Sequence, residues 1–156
     1  MKTIQSPNLM KLNAVRTGDF DAGTSLQLLV NRLVSSLPDN FTHNKISIVN
    51  EVPRNLQMIA DEKKVTPVIC QLLTTVVANA RNSHIHISAE RYRDIMILNI
   101  QDRNNNNGYA LDFSIMSMKQ QADEIGGSLS IEGKQQRVAT VSFSFPNHSD
   151  IPEYTC

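Results

Sequence analysis

The stretch Ile95-Met-Ile-Leu-Asn-Ile-Gln-Asp102 most constrains how this chain can fold. Its apolar residues recur at two-residue steps, as in a β-strand with a buried face, and the strand ends on a carboxylate. The four asparagines Asn104 to Asn107 then indicate a turn, because short polar side chains favour turns. A helical pattern follows and stops at Gly126-Gly127, where glycine supplies a left-handed end. This order predicts a domain in which helices pack on a sheet.

Length and composition limit the classes of protein to which the chain can belong. Its 156 residues fit one domain, and a hydrophobic content of 40% is enough for a core. Lysine plus arginine equals aspartate plus glutamate, fifteen of each, so no net charge attracts nucleic acid or an acidic membrane. No apolar run approaches the ~18 residues of a membrane span. Two cysteines, Cys70 and Cys156, are too few for a disulfide framework, so we expect a cytoplasmic location.

The spacing of apolar residues divides the chain into helices and strands. Helices are predicted near 24–36, 61–81 and 111–125, and strands near 45–52, 85–87, 95–102, 129–131 and 139–145. The second helix has two candidate caps, Asp61 and Thr66. We favour Thr66, because Pro67 would then stand at the first helical position, where its missing N–H has no partner to lose.

These elements predict a two-layer α/β (α+β) sandwich with three helices on one face of a mainly antiparallel, mixed sheet. Strand 95–102 has two candidate buried faces, and the pattern alone does not choose between them: Ile95, Ile97 and Asn99, or Met96, Leu98 and Ile100. The core is expected to contain Leu72, Val76, Ile115, Ala122, Val141 and Phe143.

Several short motifs occur in an order that is typical of one family of domains. They are Phe20-Asp21 before an apolar helix, Ile59-Ala-Asp61 before the long helix, His84-Ile-His-Ile87, Gly126-Gly127-Ser-Leu-Ser-Ile131 and Val141-Ser-Phe-Ser-Phe-Pro146. In this order and spacing the chain resembles the ATP-binding domain of sensor histidine kinases, the fold family of gyrase, Hsp90 and MutL. The resemblance covers 20–146. It implies that 1–19 correspond to the end of a kinase dimerisation helix and its linker, and that 147–156 form a C-terminal tail.

The resemblance also implies a nucleotide site, whose metal-binding end has changed. In the family a helix asparagine binds Mg²⁺, and an acid or asparagine one turn earlier supports it. Counting without gaps places Thr75 at the metal asparagine and Gln71 one turn before it, whereas a rival register uses Asn79. We favour Thr75, and its hydroxyl is a poorer ligand than an amide for a cation that demands octahedral oxygens.

The adenine and phosphate ends have changed as well. Asp102 matches the aspartate that accepts a hydrogen bond from adenine, but Arg103-Asn104-Asn105 replaces the Gly-x-Gly that follows it in the family. Gly108 begins a second glycine motif, in which Ala110 and Asp112 stand where the family has glycines. Those glycines present bare amides to phosphate, whereas a carboxylate at 112 would repel a triphosphate. The resemblance therefore implies a vestigial nucleotide site.

The loop 103–112 is expected to be short and closed over the cleft. Tyr109 or Phe113 would occupy part of the space of adenine, because an empty apolar cleft forfeits dispersion contacts. Asp112 would cap the following helix by accepting a backbone N–H.

No other group of residues indicates catalysis or metal binding. His84 and His86 lie on one strand face without a third ligand, and neither cysteine has a partner pattern for nucleophilic catalysis. We therefore predict no catalytic residue and no metal site in this chain.

The changed motifs favour a non-catalytic pseudo-ATPase of bacterial signal transduction, of the two-component or phosphorelay type, that acts through protein interaction. Its partner would be a response regulator or a kinase dimerisation domain, or a second copy bound through the N-terminal segment, and neither nucleic acid nor membrane. No cofactor is expected. Two alternatives stay open: the ATP-binding domain of a sensor histidine kinase, which would use ATP and Mg²⁺, and an anti-sigma-like or adaptor binding protein.

Overall fold

The computed structural model describes residues 23–38 and 45–148. Within these ranges the helices are α1 (Leu26–Ser35), α2 (Glu62–Asn79), α3 (Gly108–Met116) and α4 (Lys119–Glu124). The strands are β1 (Thr24–Ser25), β2 (Ser47–Asn50), β3 (Gln57–Met58), β4 (His84–Tyr92), β5 (Ile95–Asp102), β6 (Ser128–Glu132) and β7 (Ala139–Pro146).

Five of the strands form one mixed sheet in the order β2-β4-β5-β7-β6. The β2–β4 pair is parallel, and the other three pairs are antiparallel. A separate antiparallel pair, β1 with β3, was not predicted from the sequence, because strands of two residues are too short to show a period. The predicted α/β sandwich with a mainly antiparallel mixed sheet is confirmed.

The core lies between the helices and one face of the sheet. In β5 the alternation turns Met96, Leu98 and Ile100 inward, each no more than 1% exposed, so the second of the two candidate faces is the buried one. All six residues predicted for the core are buried: Leu72, Val76, Ile115, Ala122, Val141 and Phe143. The period-2 and period-3.6 patterns therefore located the core correctly.

Helix α2 begins at Glu62, within the predicted range 61–81, but the choice of Thr66 as its cap was wrong. Asp61 is the cap, and its Oδ1 accepts a hydrogen bond from the N–H of Lys63 at 3.0 Å. Pro67 therefore lies inside the helix, where it cannot donate to the carbonyl of Lys63. The residues before Pro67 include Val65, which is 3% exposed. Its apolar burial offsets the hydrogen bond that Pro67 cannot make.

The single helix predicted over 111–125 is divided into two short helices, α3 and α4, which together stand in the place of the third predicted helix. The break falls at Ser117, whose hydroxyl donates to the carbonyl of Ser114 at 2.8 Å. Such side-chain bonds compete with the helical ladder. Met118 stays buried across the break, and Gly126 has the predicted left-handed conformation, with φ of 79°.

The predictions for 1–19 and for 149–156 lie outside the described residues. Asn147, at the start of the predicted tail, is 2% exposed and holds the segment before α2. Its Oδ1 accepts from the N–H groups of Ile59 and Ala60, at 2.7 and 3.3 Å, and its Nδ2 donates to the carbonyl of Gln57 at 3.1 Å. Across 23–38 and 45–148 no helix is long and apolar enough to span a membrane.

Candidate functional site

Asp102 ends β5 on the core-facing side of the sheet, because it continues the two-residue phase of Met96, Leu98 and Ile100. It is 2% exposed. Its Oδ1 accepts a short hydrogen bond from the hydroxyl of Ser83 and a second, at 3.0 Å, from the backbone N–H of Asn104. A buried carboxylate requires such donors. The carboxylate therefore serves a network built from its own chain.

Asn104 extends this network to the connection between α2 and β4. Its backbone N–H also donates to the Ser83 hydroxyl at 3.1 Å, and its Nδ2 donates to the carbonyls of Asn82 and Arg81, at 2.9 and 3.4 Å. No residue from 103 to 107 has a positive φ. Asn104 therefore contacts Asp102 through its backbone, and its side chain ties the loop to the connection between α2 and β4.

The expectation that Tyr109 or Phe113 fills the adenine space was wrong. Their side chains are 57% and 79% exposed, and both lie on α3, which begins at Gly108. The space beside the carboxylate is instead occupied by Ser83 and Asn104. Polar donors satisfy a buried charge, which an aromatic ring cannot do.

Ser83, which is 1% exposed, was not among the site residues predicted from the sequence. The strand register could have located it. In the β4–β5 pair Ile85 stands opposite Asp102, and Ser83 lies two residues before Ile85, so both Ser83 and Asp102 are at the same end of the pair. That register depends on the exact end of the turn at Arg93 and Asp94.

The second glycine motif is packed against the β6–β7 hairpin. A Cβ built on Gly108 would overlap with the backbone of Lys134, so only glycine fits there. Ala110 is half-buried, and its carbonyl accepts from the Ser114 hydroxyl at 3.0 Å. Gly108 therefore has a packing role against this hairpin.

Asp112 is not a helix cap, which corrects the prediction. It stands in the second turn of α3, because the helix begins at Gly108, and its Oδ2 accepts from Lys134 Nζ at 2.9 Å. The hydrogen bond and the charge of Asp112 raise the pKa of Lys134. This ion pair ties the middle of α3 to the hairpin.

Asn105 closes the remaining edge of the loop against the same hairpin. Its N–H donates to the carbonyl of Arg137 at 2.7 Å, and its Nδ2 donates to the carbonyls of Lys134 and Gln136, at 3.1 and 2.9 Å. The asparagine run therefore holds two loops together through side-chain amides, which fits the turn predicted for it.

The three candidate residues on α2 follow each other at four-residue steps. Gln71 is exposed, the Thr75 hydroxyl contacts Met118 Sδ at 3.8 Å, and Asn79 Nδ2 donates to the carbonyl of Thr75 at 2.9 Å. The Asn79 amide thus bonds to its own helix. Gln71 and Thr75 line a cleft of about 550 Å³ between α2 and α3. Asp102 does not line this cleft.

Other candidate ligands are engaged elsewhere. His84 Nδ1 lies 2.6 Å from the Ser47 hydroxyl, and His86 Nδ1 lies 3.0 Å from Glu51 Oε1. Within the described ranges, no three residues among His, Cys, Asp and Glu are grouped so that they could hold a metal ion. Cys70 has a free thiol and packs beside the core.

Comparison of the structure with solved structures identifies the fold. The histidine kinase AdeS of Acinetobacter baumannii superposes with a TM-score of 0.67 at 12% identity, over 80% of this chain and 66% of that one. A nucleotide-free catalytic domain of histidine kinase ThkA superposes with a TM-score of 0.63 at 17% identity, over 80% of this chain and 93% of that one. Full-length ShkA, crystallised with AMPPNP, superposes with a TM-score of 0.64 at 13% identity, over 80% of this chain and 30% of that one.

The chain therefore has the fold of histidine kinase catalytic, ATP-binding domains, as the sequence resemblance implied. It spans nearly the full length of the isolated ThkA domain and slightly less than two thirds of the AdeS chain. No protein-family model and no curated protein matches the sequence.

Proposed function

We propose that this chain is a non-catalytic, histidine kinase-like ATPase-fold module of bacterial signal transduction, which acts through protein interaction in the cytoplasm. The observation that carries the proposal is the environment of Asp102. Its Oδ1 already accepts hydrogen bonds from the Ser83 hydroxyl and the Asn104 N–H, in a position that is 2% exposed. At this exposure an adenine amine could reach the carboxylate only if neighbouring groups moved aside.

The phosphate end supports the same proposal. Gly108 is packed against the Lys134 backbone, so this glycine is engaged by the hairpin. The Lys134 ammonium, a cation that could bind phosphate, is paired with the Asp112 carboxylate at 2.9 Å. The residues present therefore do not fit ATP with Mg²⁺, and no catalytic step is assigned to them.

The fold supports a protein partner from a signalling pathway. ThkA has been crystallised in complex with the response regulator protein TrrA. By analogy, we propose a response regulator or a kinase dimerisation domain as the partner of this chain. A second copy bound through the N-terminal segment is a further proposal, which the oligomeric state in solution would test.

Isothermal titration with ATP and AMPPNP, with and without Mg²⁺, tests the proposal directly. We expect no binding tighter than about 1 mM, which corresponds to less than about 4 kcal/mol of binding free energy. ShkA, which binds AMPPNP in its crystal structure, is the positive control.

A micromolar, Mg²⁺-dependent isotherm would instead support the ATP-binding domain of a sensor histidine kinase. The absence of nucleotide binding together with binding to a sigma factor, and to no phosphotransfer protein, would support the anti-sigma-like or adaptor alternative. The same purified chain serves for all three outcomes.

A further inference from the structure

Strand β4 is longer than the strand that pairs with it on the side away from β5. It has nine residues, His84–Tyr92, whereas β2 pairs only with His84 to Ile87. The last backbone hydrogen bond on this side runs from the Glu51 N–H to the Ile87 carbonyl, at 2.7 Å. The second half of β4, from Ser88 to Tyr92, is therefore an edge of the sheet, which we call the β4 edge.

The direction of the backbone groups alternates along β4, and this alternation identifies the unpaired ones. The Arg103 N–H donates to the His84 carbonyl at 3.1 Å, so His84 and every second residue after it bond toward β5. Ile87 bonds in the other direction, and Ala89 and Arg91 continue its phase beyond the end of β2. Across 23–38 and 45–148, neither Ala89 nor Arg91 has a backbone hydrogen bond on that side.

The β4 edge thus presents two N–H groups and two carbonyls in a row. The chain that follows β2 does not cover them, because it turns toward α1, where the Val52 carbonyl accepts from Gln27 Nε2 at 3.0 Å. A row of unpaired backbone groups is a template for an added strand. An extended occupant can pair with all four groups, whereas the backbone groups of a helix bond within the helix.

The side chains of the β4 edge differ between the two faces of the sheet. Glu90 and Tyr92 are exposed on the face that the helices leave open, whereas Ala89 and Arg91 have the phase of the core-facing residues. Tyr92 is 61% exposed, and its neighbour across β5, Ile95, is 40% exposed. An added strand would therefore meet an apolar pair, an acid, a base and a small residue within a short distance.

The charge of Glu90 argues against a second copy of this chain as the occupant. Two β4 edges could pair antiparallel, with Ala89 of each copy opposite Arg91 of the other. Glu90 would then stand directly opposite Glu90 of the other copy, and like charges in this position are destabilising. The edge is consequently protected against self-association but open to a strand that brings a cation opposite Glu90.

We propose that the β4 edge binds an extended segment of a partner protein, which lies antiparallel to β4 and continues the row of β2. From its N-terminal end, the segment carries an apolar residue opposite Tyr92, an acidic residue opposite Arg91, a basic residue opposite Glu90 and a small apolar residue opposite Ala89. Opposite charges and apolar pairs at facing positions stabilise antiparallel strands.

The β4 edge and Asp102 lie at opposite ends of the β4–β5 pair. Asp102 stands opposite Ile85, and Arg91 is six residues further along β4, about 20 Å away in an extended strand. The proposal rests on the proposed function only in that the partner is a protein. Nucleotide binding beside Asp102 would leave the edge unoccupied.

The probe is the peptide Gly-Ser-Ile-Glu-Lys-Val-Ser-Gly with acetylated and amidated ends. It is titrated into the full-length, ¹⁵N-labelled chain, and amide shifts and hydrogen exchange are followed by NMR. We expect saturable shifts of the Ala89 and Arg91 amides. Exchange at both should slow at least about tenfold, because each N–H gains an acceptor.

Two methylated peptides separate backbone pairing from side-chain attraction. In the proposed pairing the glutamate and valine N–H groups of the peptide point to the β4 edge, whereas those of its isoleucine and lysine point away. N-methylation of the first two residues should abolish binding, and N-methylation of the other two should preserve it.

A charge exchange tests the register. Glu90→Lys should weaken binding at least about threefold, and a peptide with glutamate in place of lysine should restore it. The matched control is Glu132→Lys on β6, an exposed carboxylate on the other edge strand, which should leave the affinity unchanged. Thermal melts of both variants check that each is folded.

A peptide that leaves the Ala89 and Arg91 amides unshifted would overturn the proposal, as would equal binding of the two methylated peptides or equal weakening by the two charge variants. Slow exchange of both amides in the free monomer would assign the edge to another part of this chain. Exchange that slows with protein concentration would assign it to a second copy, and either result overturns the proposal. Titration of the same sample with ATP tests the proposed function separately, because neither outcome depends on the other.

Discussion

At the residue scale, the position of Asp102 in the fold determines which contacts its carboxylate needs. It ends a core-facing strand and is buried, so it needs hydrogen-bond donors whether or not a ligand is present. Ser83 and Asn104 supply those donors from within the chain.

Replacing Ser83 with alanine should destabilise the protein by about 1–3 kcal/mol, because a buried carboxylate loses one of its donors. Urea unfolding followed by circular dichroism measures the change. The control is Ser130→Ala on β6, where the side chain is exposed and the expected change is within about 0.5 kcal/mol. Equal changes in the two variants would show that the Ser83 hydroxyl contributes nothing specific to the buried carboxylate.

At this scale the sequence predicted which residue is special but not what surrounds it. The strand phase and the resemblance both located Asp102, whereas the role of Ser83 depends on a strand register that one residue of turn length would shift. The aromatic residues were placed wrongly because α3 begins at Gly108 and turns Phe113 toward solvent. The sequence did not show in which direction the side chains of α3 point.

At the scale of elements, the start of α2 offers a test between the two caps that the sequence allowed. Asp61→Ala should lower the free energy of unfolding by about 1 kcal/mol, because the N–H of Lys63 loses its acceptor. Thr66→Val should leave stability unchanged or raise it, since Thr66 Oγ1 is buried without a hydrogen-bond partner in the described part of the chain. Chemical denaturation of both variants decides. A larger loss from Thr66→Val would contradict the observed start of the helix.

The first turn of α2 also joins two other elements through Glu62. Its Oε1 accepts from the Thr24 hydroxyl, and its Oε2 accepts from Arg32 Nη2, both at 2.8 Å. These bonds lower the pKa of Glu62 below its ordinary value of 4.5. A lowered pKa means that the stabilisation is present above the unfolded-state pKa and is lost as the pH falls through the folded-state value.

Glu62→Gln should therefore destabilise the protein at pH 7, by less than about 1 kcal/mol because the ion pair is largely exposed. The difference from wild type should shrink as the pH falls below 4.5. Unfolding curves from pH 3 to pH 7 measure it, and Glu90→Gln on β4, an exposed carboxylate, is the control. A difference that stayed constant across this range would exclude the carboxylate charge as its source.

The periodicity of apolar residues predicted which helices and strands exist, but not the residues at which they begin and end. The pattern of Leu111, Ile115 and Met118 stays in phase with the core even though the helix breaks at Ser117. The break depends on a side-chain hydrogen bond to Ser114, and periodicity carries no information about such bonds. The β1–β3 pair was not predicted for the related reason that two residues cannot define a period.

At the scale of the molecule, Asp102 and the cleft between α2 and α3 are separate features. Asp102 belongs to a buried network with Ser83 and Asn104, and the hairpin holds the loop through Asn105 and Lys134. The cleft is lined by other residues, among them Gln71, Thr75 and Phe113. Several independent contacts hold Asp102 and the loop after it, so no single substitution should expose the carboxylate.

This leads to the last prediction, that Ala110→Gly with Asp112→Gly does not restore ATP binding. The double variant recreates the glycines of the second motif, but it leaves Asp102 bonded to Ser83 and Asn104. Two glycines inside α3 should also lower stability by roughly 1–2 kcal/mol, and Lys134 loses its partner. Titration with ATP and Mg²⁺ after a thermal melt tests both parts on one sample. Micromolar binding by this variant would mean that the lost glycines, rather than the occupied carboxylate, keep nucleotide out of the fold.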